Sequence, residues 1–483
     1  MKFLLFAVIL LEGYVVLASE LLAIRLVLPW IGTGTDVIAI IIAAVLLPLA
    51  FGYHFGGTFR KRCREKGLGY VSVRRKLLSN VIRSTLILCI GLSYILLELF
   101  FGALNTLGIQ QRLLQLTIYV SVFLVYPVFL LGQTIPLVSH YFSSGILSEM
   151  TGKMLSFSTL GSFLGSVFST VVLMAVIGVH YTAVFVIFLL CVLIFLLVKK
   201  HQISYMMTAV GAFVFMLAAN SGEQMRSLDI VSNNGYNTVQ VRVSAKDEET
   251  RMMLLNNNLS SSYKTGEGSI FNYAKLIRQQ YLEPIAAAEP KKRILVLGAA
   301  GFTLGDFDNH NEYIFVDVDP DLQKAAEDHL LQHKLAENKK FAVIDARAYV
   351  HQAAKRGDLY DLIVLDTFKA GFAMPEHLLT REYFQDVKAA LKPGGFMVMN
   401  SIASAYFEDD YTRRMDNTLR SVFPHLTRMV MAGTDEKLNA WEATKIGRGM
   451  YTANVIYIYR NDPEGDKDMT IYTDDKNTYF LDK

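Results

Sequence analysis

Apolar runs of membrane-spanning length fill the first 220 residues and constrain the fold of this chain more than any other feature. A helix needs roughly 20 mostly apolar residues to cross a bilayer. Candidates lie at Phe3–Trp30, Val37–Gly56, Leu86–Leu107, Leu114–Leu131, Leu155–Val179, Thr182–Val198 and Ile203–Ala219, the last being the shortest. These seven runs predict an N-terminal all-α polytopic membrane bundle over residues 1–220. A cleaved secretion signal is the rival reading of the first run. Against it, that run is long, carries Glu12, Glu20 and Arg25, and lacks a small-residue cleavage site.

Charge divides the chain the same way. Residues 1–220 hold 15 Lys+Arg against 6 Asp+Glu, whereas the remainder carries a net −6 within a total of +3. The loop "RKRCREKGLGYVSVRRK", Arg60 to Lys76, is the strongest orientation signal, because short positive loops stay on the cytoplasmic side. It places the N-terminus and Lys199–Lys200 inside. Seven complete spans would carry everything after Asn220 to the far side, whereas a last run lying along or re-entering the membrane would leave the second half in the cytoplasm. Glu20 and Arg25 stand five apart on the first run, and such intramembrane charges either hold a bundle together or contact a substrate. Gly161 and Gly165 in "LGSFLG" fit a small-xxx-small packing face, and Trp30 reads as an interfacial anchor. Cys63, Cys89 and Cys191 show no CxxC spacing, which argues against a metal site or a disulfide framework.

Beyond Asn220 the pattern becomes β-rich. "YNTVQVRV" and "RMMLLNNNL", joined by the charged turn "SAKDEET", predict a small β-hairpin layer over 221–285. From 286 to 483, the runs "KKRILVLG", "YIFVDVDP", "KFAVIDA" and "YDLIVLD" alternate with helical stretches and predict an α/β Rossmann-like domain with a parallel sheet. Ligands in such sheets bind beyond the carboxyl ends of the strands. Those ends carry Gly298 and Gly301, then Asp317 with Asp319, then Asp345, then Asp366. Small residues let a ligand approach the backbone, and an acidic side chain after the second strand can accept hydrogen bonds from ribose hydroxyls. Singly, the glycines read equally as a tight turn and the aspartates as helix caps; as a set at successive strand ends they point to a nucleoside site. The acidic C-terminal stretch "NDPEGDKDMTIYTDDKNTYF" reads as surface structure or a loose tail, which argues against nucleic acid as a partner.

Taken in order, "VLGAAG", "VDVDP", "IDARAYV", "YDLIVLDTF", "PEHLLTREYF" and "LKPGGFMVMN" resemble the spermidine synthase (polyamine aminopropyltransferase) family. The first half resembles its membrane-fused branch, through "SELLAIR", "LAFGYHFGGTFRKR", "GQTIPLVSHYF" and "STLGSFLGSV". Part of the soluble pattern is shared with methyltransferases. The resemblance implies a membrane-anchored transferase of a multi-pass cell (inner) membrane protein. It would move an aminopropyl group from decarboxylated S-adenosylmethionine to an amine acceptor, with no metal, membrane lipid as a partner, and a homodimer among the assemblies it allows. By it, Asp317 would hold the ribose, Asp345 with Ala346 would face the adenine, and Gly298 and Gly301 would line the donor's tail. Asp366 would be the base that deprotonates the acceptor, and Tyr273 in "IFNYAKLI" the substrate-channel tyrosine. Four positions depart from the family's pattern. Gly301 replaces the turn aspartate, Lys369 the second carboxylate of DxxD at the acceptor, Ser260 a glutamine, and Ala274 the residue after the channel tyrosine. Neutral or basic groups there remove the attraction for a polycationic acceptor. Methyl transfer from S-adenosylmethionine and a non-catalytic nucleoside-binding or scaffold domain on the membrane bundle therefore stay open as alternatives.

Overall fold

The computed structural model describes residues 2–32, 34–65, 72–142, 147–199, 201–245, 247–368, 374–407, 409–431 and 452–460. The chain divides into two compact units, Met1–Gly235 and Tyr236–Lys483.

The first unit is helical. Among the described residues, five helices are long and apolar enough to cross a membrane: Phe3–Ile31, Thr35–Gly57, Arg112–Ser139, Leu147–Val176 and Gly178–Leu197. The candidate span at Leu86–Leu107 falls on a bent pair, Val73–Gly91 and Tyr94–Thr106, at 68° to one another, which makes a sixth span if taken as one. A remote side chain satisfies the break. Asn220, fully buried, accepts from the Tyr94 amide at 3.0 Å and donates to the Leu92 carbonyl at 3.1 Å, so the interrupted helix leaves neither group orphaned in an apolar interior. Ile203–Ala219 is a 17-residue helix, shorter than the five long ones. Among the described residues, five or six long apolar helices thus stand where the sequence predicts seven, because one run is bent and one is short.

Glycine sets the closest helix contact. A Cβ at Gly161 would lie 2.0 Å from the Leu10 carbonyl oxygen and one at Gly165 would lie 2.2 Å from that of Tyr14, so Phe3–Ile31 and Leu147–Val176 meet backbone to backbone, as the small-residue spacing predicts. Tyr14 Oη and Ser169 Oγ share a hydrogen bond of 2.8 Å across the same seam. Glu12, Glu20 and Arg25 are buried, with Arg25 Nε donating to the Asn234 carbonyl at 2.8 Å. Trp30 stacks on Phe101, centroids 4.8 Å apart. The unit closes with a short strand, β1 (Ile230–Asn233).

The second unit opens with β2 (Thr238–Val243), β3 (Thr250–Leu255), β4 (Asn258–Lys264) and β5 (Gly268–Ser269), an antiparallel series with Val241 opposite Met253 and Met253 opposite Ser261. This is the predicted hairpin layer. The α/β sheet follows. Strands β6 (Arg293–Leu297), β7 (Glu312–Asp317), β8 (Lys339–Val343) and β9 (Tyr360–Leu365) are parallel, as expected. To them are added β10 (Leu391–Ser404), β11 (Thr427–Met431) and β12 (Thr452–Arg460), and the spatial order is 8-7-6-9-10-12-11. β12 inserts antiparallel between β10 and β11, pairing Asn400 with Ile456 and Val430 with Val455. Near-continuous apolar runs such as Ile294–Leu297 and Leu362–Leu365 are buried, as strands covered on both faces require. Strand order reverses beside β6, between β7 and β9. A doubly wound sheet opens its ligand crevice at such a point, outside the carboxyl ends.

Candidate active site

The chain leaves β6 through Gly298, at φ +94°, a conformation that side chains rarely adopt. A Cβ there would sit 2.2 Å from the Asp366 carbonyl oxygen, so this glycine lets the ends of β6 and β9 touch. Gly301 serves a different contact. A Cβ on it would meet Leu330 Cδ2 at 2.4 Å and Ser261 Cβ at 2.7 Å, and its amide donates to Ser261 Oγ at 3.0 Å. The space beside Gly301 is thus filled by protein, and the hydroxyl that reaches the turn belongs to Ser261, next to the Ser260 that the sequence singles out.

Asp317 ends β7. Its carboxylate accepts from the amides of Ala299 at 3.1 Å and Asp319 at 3.2 Å. Burial raises its pKa, against the pull of those amides. Asp319 is fully buried and structural. It accepts from Asn237 Nδ2 at 2.8 Å, and Asn237 is held in turn by Asn256. Asp345 caps the helix Ala346–Arg356 by accepting from the Ala348 amide at 3.0 Å, and Ala346 is buried at the first position of that helix. The other Asp345 oxygen meets His377 Nε2 at 3.0 Å, and this hydrogen bond holds the carboxyl below the usual carboxylate range.

Asp366 follows β9. Its Oδ2 accepts from the Tyr273 hydroxyl at 3.0 Å and its Oδ1 from Asn400 Nδ2 at 2.8 Å. Asn400, on β10, is fixed in turn by Asn454 Nδ2, which donates to its Oδ1 at 3.1 Å. Burial pushes Asp366 up to about 6, the two hydrogen bonds opposing it, and drives the Tyr273 phenol well above its ordinary value. Tyr273 stacks on Phe271, centroids 5.7 Å apart, and Ala274 behind it is buried. The adjacent Thr367 hydroxyl is buried with no hydrogen-bond partner among the described residues. The structure therefore joins Tyr273 to Asp366, Gly298 to Asp366, and Asp317 to the glycine turn. Lys369 lies outside the described residues.

Sequence reasoning misses Asn400, His377 and Ser261. A polar residue inside the apolar run "GGFMVMNS" is the one local signal for Asn400.

Residues 279–447 match the family model of the spermine/spermidine synthase domain. The C-terminal half carries a spermine/spermidine synthase domain. A polyamine aminopropyltransferase of Vibrio vulnificus is 31% identical over 136 residues, 27% of this chain and 44% of that protein. One from Pyrobaculum calidifontis is 26% identical over 195 residues, 38% of this chain and 64% of that protein. The chain thus spans about half the length of the curated relatives it matches. Among solved structures, a probable spermidine synthase from Corynebacterium glutamicum has a TM-score of 0.38 at 19% identity, covering 47% of this chain and 77% of that one. Within the synthase domain lie Gly298, Gly301, Asp317, Asp345, Ala346 and Asp366, whereas Tyr273 and the apolar helices precede the matched residues.

Proposed function

We propose that the second unit is an aminopropyltransferase that uses decarboxylated S-adenosylmethionine and an amine acceptor, with Asp366 as general base. The observation that carries this reading is the carboxylate of Asp366, poised between Tyr273 and Asn400 and pushed up to about 6. An ammonium has no lone pair with which to attack. Once a carboxylate removes its proton, the nitrogen bonds to the carbon beside the sulfonium, the C–S bond breaks, and its electron pair stays on sulfur as methylthioadenosine leaves. A base with a pKa nearer neutrality takes that proton more readily than an ordinary carboxylate. Asp317 is assigned to the ribose, Asp345 and Ala346 to the adenine, Gly298 to the donor's approach, and Tyr273 to the acceptor channel.

By the resemblance in sequence, Gly301 and Lys369 replace the acidic partners of the donor's ammonium and of a diamine. The acceptor is therefore read as an amine of low charge, supplied at the membrane, in preference to putrescine. A homodimer is part of this reading, and so is a cytoplasmic second unit, where donor nucleosides are made. One observation favours a non-catalytic scaffold instead. Both Asp317 oxygens are engaged by backbone amides of its own fold, so the carboxylate must share or exchange them to hold a ribose.

Calorimetric titration of the full chain with methylthioadenosine decides between these readings. Saturable binding that Asp317→Ala abolishes is expected. No heat at millimolar ligand would sink the transferase assignment and leave the scaffold.

A further inference from the structure

We propose that a cleft on the lipid-facing side of the first unit binds an acidic phospholipid, one acyl chain in the cleft and the phosphate among arginines at its end. The cleft is an open groove of about 350 Å³ between Thr35–Gly57 and Arg112–Ser139, within the range of about 300–1,000 Å³ usual for small-molecule sites. Its walls include Ala43, Leu47, Phe51, Phe55, Tyr126 and Phe129.

Local sequence explains why the helices part there. Gly52 and Gly56 draw them together on one side, since added Cβ atoms would lie 2.6 Å from the Phe129 carbonyl oxygen and 2.5 Å from Pro136 Cγ. Opposite, Ala43 and Ala44 leave space that large side chains would fill. Both helices are also irregular at this level. Pro48 lacks the amide donor of its helical turn in one, while a π-helical turn, Ser121–Val125, precedes Pro127 in the other. Leu47 and Phe51 remain more than half exposed, and inside a bilayer the medium that meets them is hydrocarbon.

Charge identifies which lipid. Phe55 and Phe129 close the cleft edge to face, centroids 5.4 Å apart, and the Arg62 guanidinium lies 4.5 Å over the Phe55 ring. Arg62 is anchored there by donating to the Phe55 carbonyl and to Thr58 Oγ1. The helix Phe59–Glu65, "FRKRCRE", adds exposed Arg60, Lys61 and Arg64 against a single acid, Glu65, which pairs with Lys61 at 3.9 Å. An apolar slot that ends in uncompensated guanidinium groups is complementary to an acyl chain under a phosphate, and each such cation contributes to binding acidic headgroups. Neither feature depends on the chemistry of the second unit.

Native mass spectrometry of the full chain, titrated with phosphatidylglycerol and with phosphatidylcholine of the same acyl chains, tests the proposal. Phosphatidylglycerol should be retained more tightly, and Arg62→Gln should lower that preference by about fivefold, the loss expected for one headgroup cation. Ala43→Trp, which fills the slot, should reduce adducts of both lipids. If that variant melts early in detergent, Leu47→Trp replaces it. Equal retention of the two lipids by the unaltered protein would overturn the proposal, as would adducts unchanged in the slot-filling variant. So would a dimer that Ala43→Trp dissolves, since the cleft would then hold a second copy of the chain.

Discussion

At the scale of single residues, Asp366 ties stability to the proposed chemistry. An unfolded carboxylate of this kind titrates near 3.9, and burial in the fold pushes Asp366 up to about 6. Between about pH 4 and 6 the native state therefore holds a proton that the unfolded chain has lost, so stability falls as pH rises through that window. Above it the full penalty persists, up to about 3 kcal/mol at 1.36 kcal/mol for each pH unit. Asp366→Asn should thus raise thermal stability at about pH 7.5, add little at about pH 4.5, and cut methylthioadenosine release at least ~100-fold. Identical melting gains at both pH values would show that ionisation is not what burdens the site. In the unaltered protein, release should climb about tenfold per pH unit below 6 and level off above; a flat profile from about pH 5 to 8 would assign the base elsewhere. In the proposed reaction Asn400 is a positioning residue, because its amide donates to Asp366 Oδ1 and lowers the carboxylate's pKa. Asn400→Ala should move the inflection of that profile upward, whereas a purely structural residue would change yield and leave the inflection in place.

At the scale of elements, the seam between Phe3–Ile31 and Leu147–Val176 offers a controlled comparison within one helix. Gly161→Ala would drive a methyl to 2.0 Å from the Leu10 carbonyl oxygen, whereas nothing lies within 4 Å of a Cβ at Gly152. Forcing atoms into a filled contact costs roughly 1–3 kcal/mol, and an exposed glycine replaced by alanine in a helix returns up to about 1 kcal/mol. The first variant should therefore lower the melting temperature in detergent and the second leave it level or raise it; equal melting would mean that the seam is not a close contact. The glycine spacing in "LGSFLG" revealed this face because helical periodicity is local. Strand-end residues were legible for the same reason: Gly298, Asp317, Asp345 and Asp366 each follow an apolar run that announces its own end. Features closed by distant partners were not. The bend at Leu92 is satisfied by Asn220, and β12 finds its place by pairing with β11 and with β10, 54 residues away at Ser401 and Val455. His377 reaches Asp345 across 32 residues, and the filled space beside Gly301 depends on Leu330 and Ser261, which no spacing in the glycine turn foretells.

At the scale of the molecule, topology decides whether the proposed chemistry has a donor to work on. The basic sequence Arg60–Lys76 follows the second span, and the positive-inside rule assigns it to the cytoplasmic side. From there, Arg112–Ser139, Leu147–Val176 and Gly178–Leu197 each qualify as a crossing. A cytoplasmic second unit then requires that one, and not both, of the bent pair and Ile203–Ala219 also cross. The bent pair is the better candidate, since its crossing brings Lys199 to the inner face, where a basic residue is favoured. Ile203–Ala219, at 17 residues, rises about 25 Å, short of a hydrocarbon core of about 30 Å. Reporters inserted after Lys199 and after Lys483 should accordingly both read as cytoplasmic. Lys199 inside with Lys483 outside would mean that the short helix crosses, leaving the nucleoside site on the far side without a donor. Lys199 outside with Lys483 inside would make the bent pair re-entrant and keep the transferase reading intact. The break at Leu92, satisfied by Asn220 next to the end of the short helix, would then be the device that turns the chain back within the membrane.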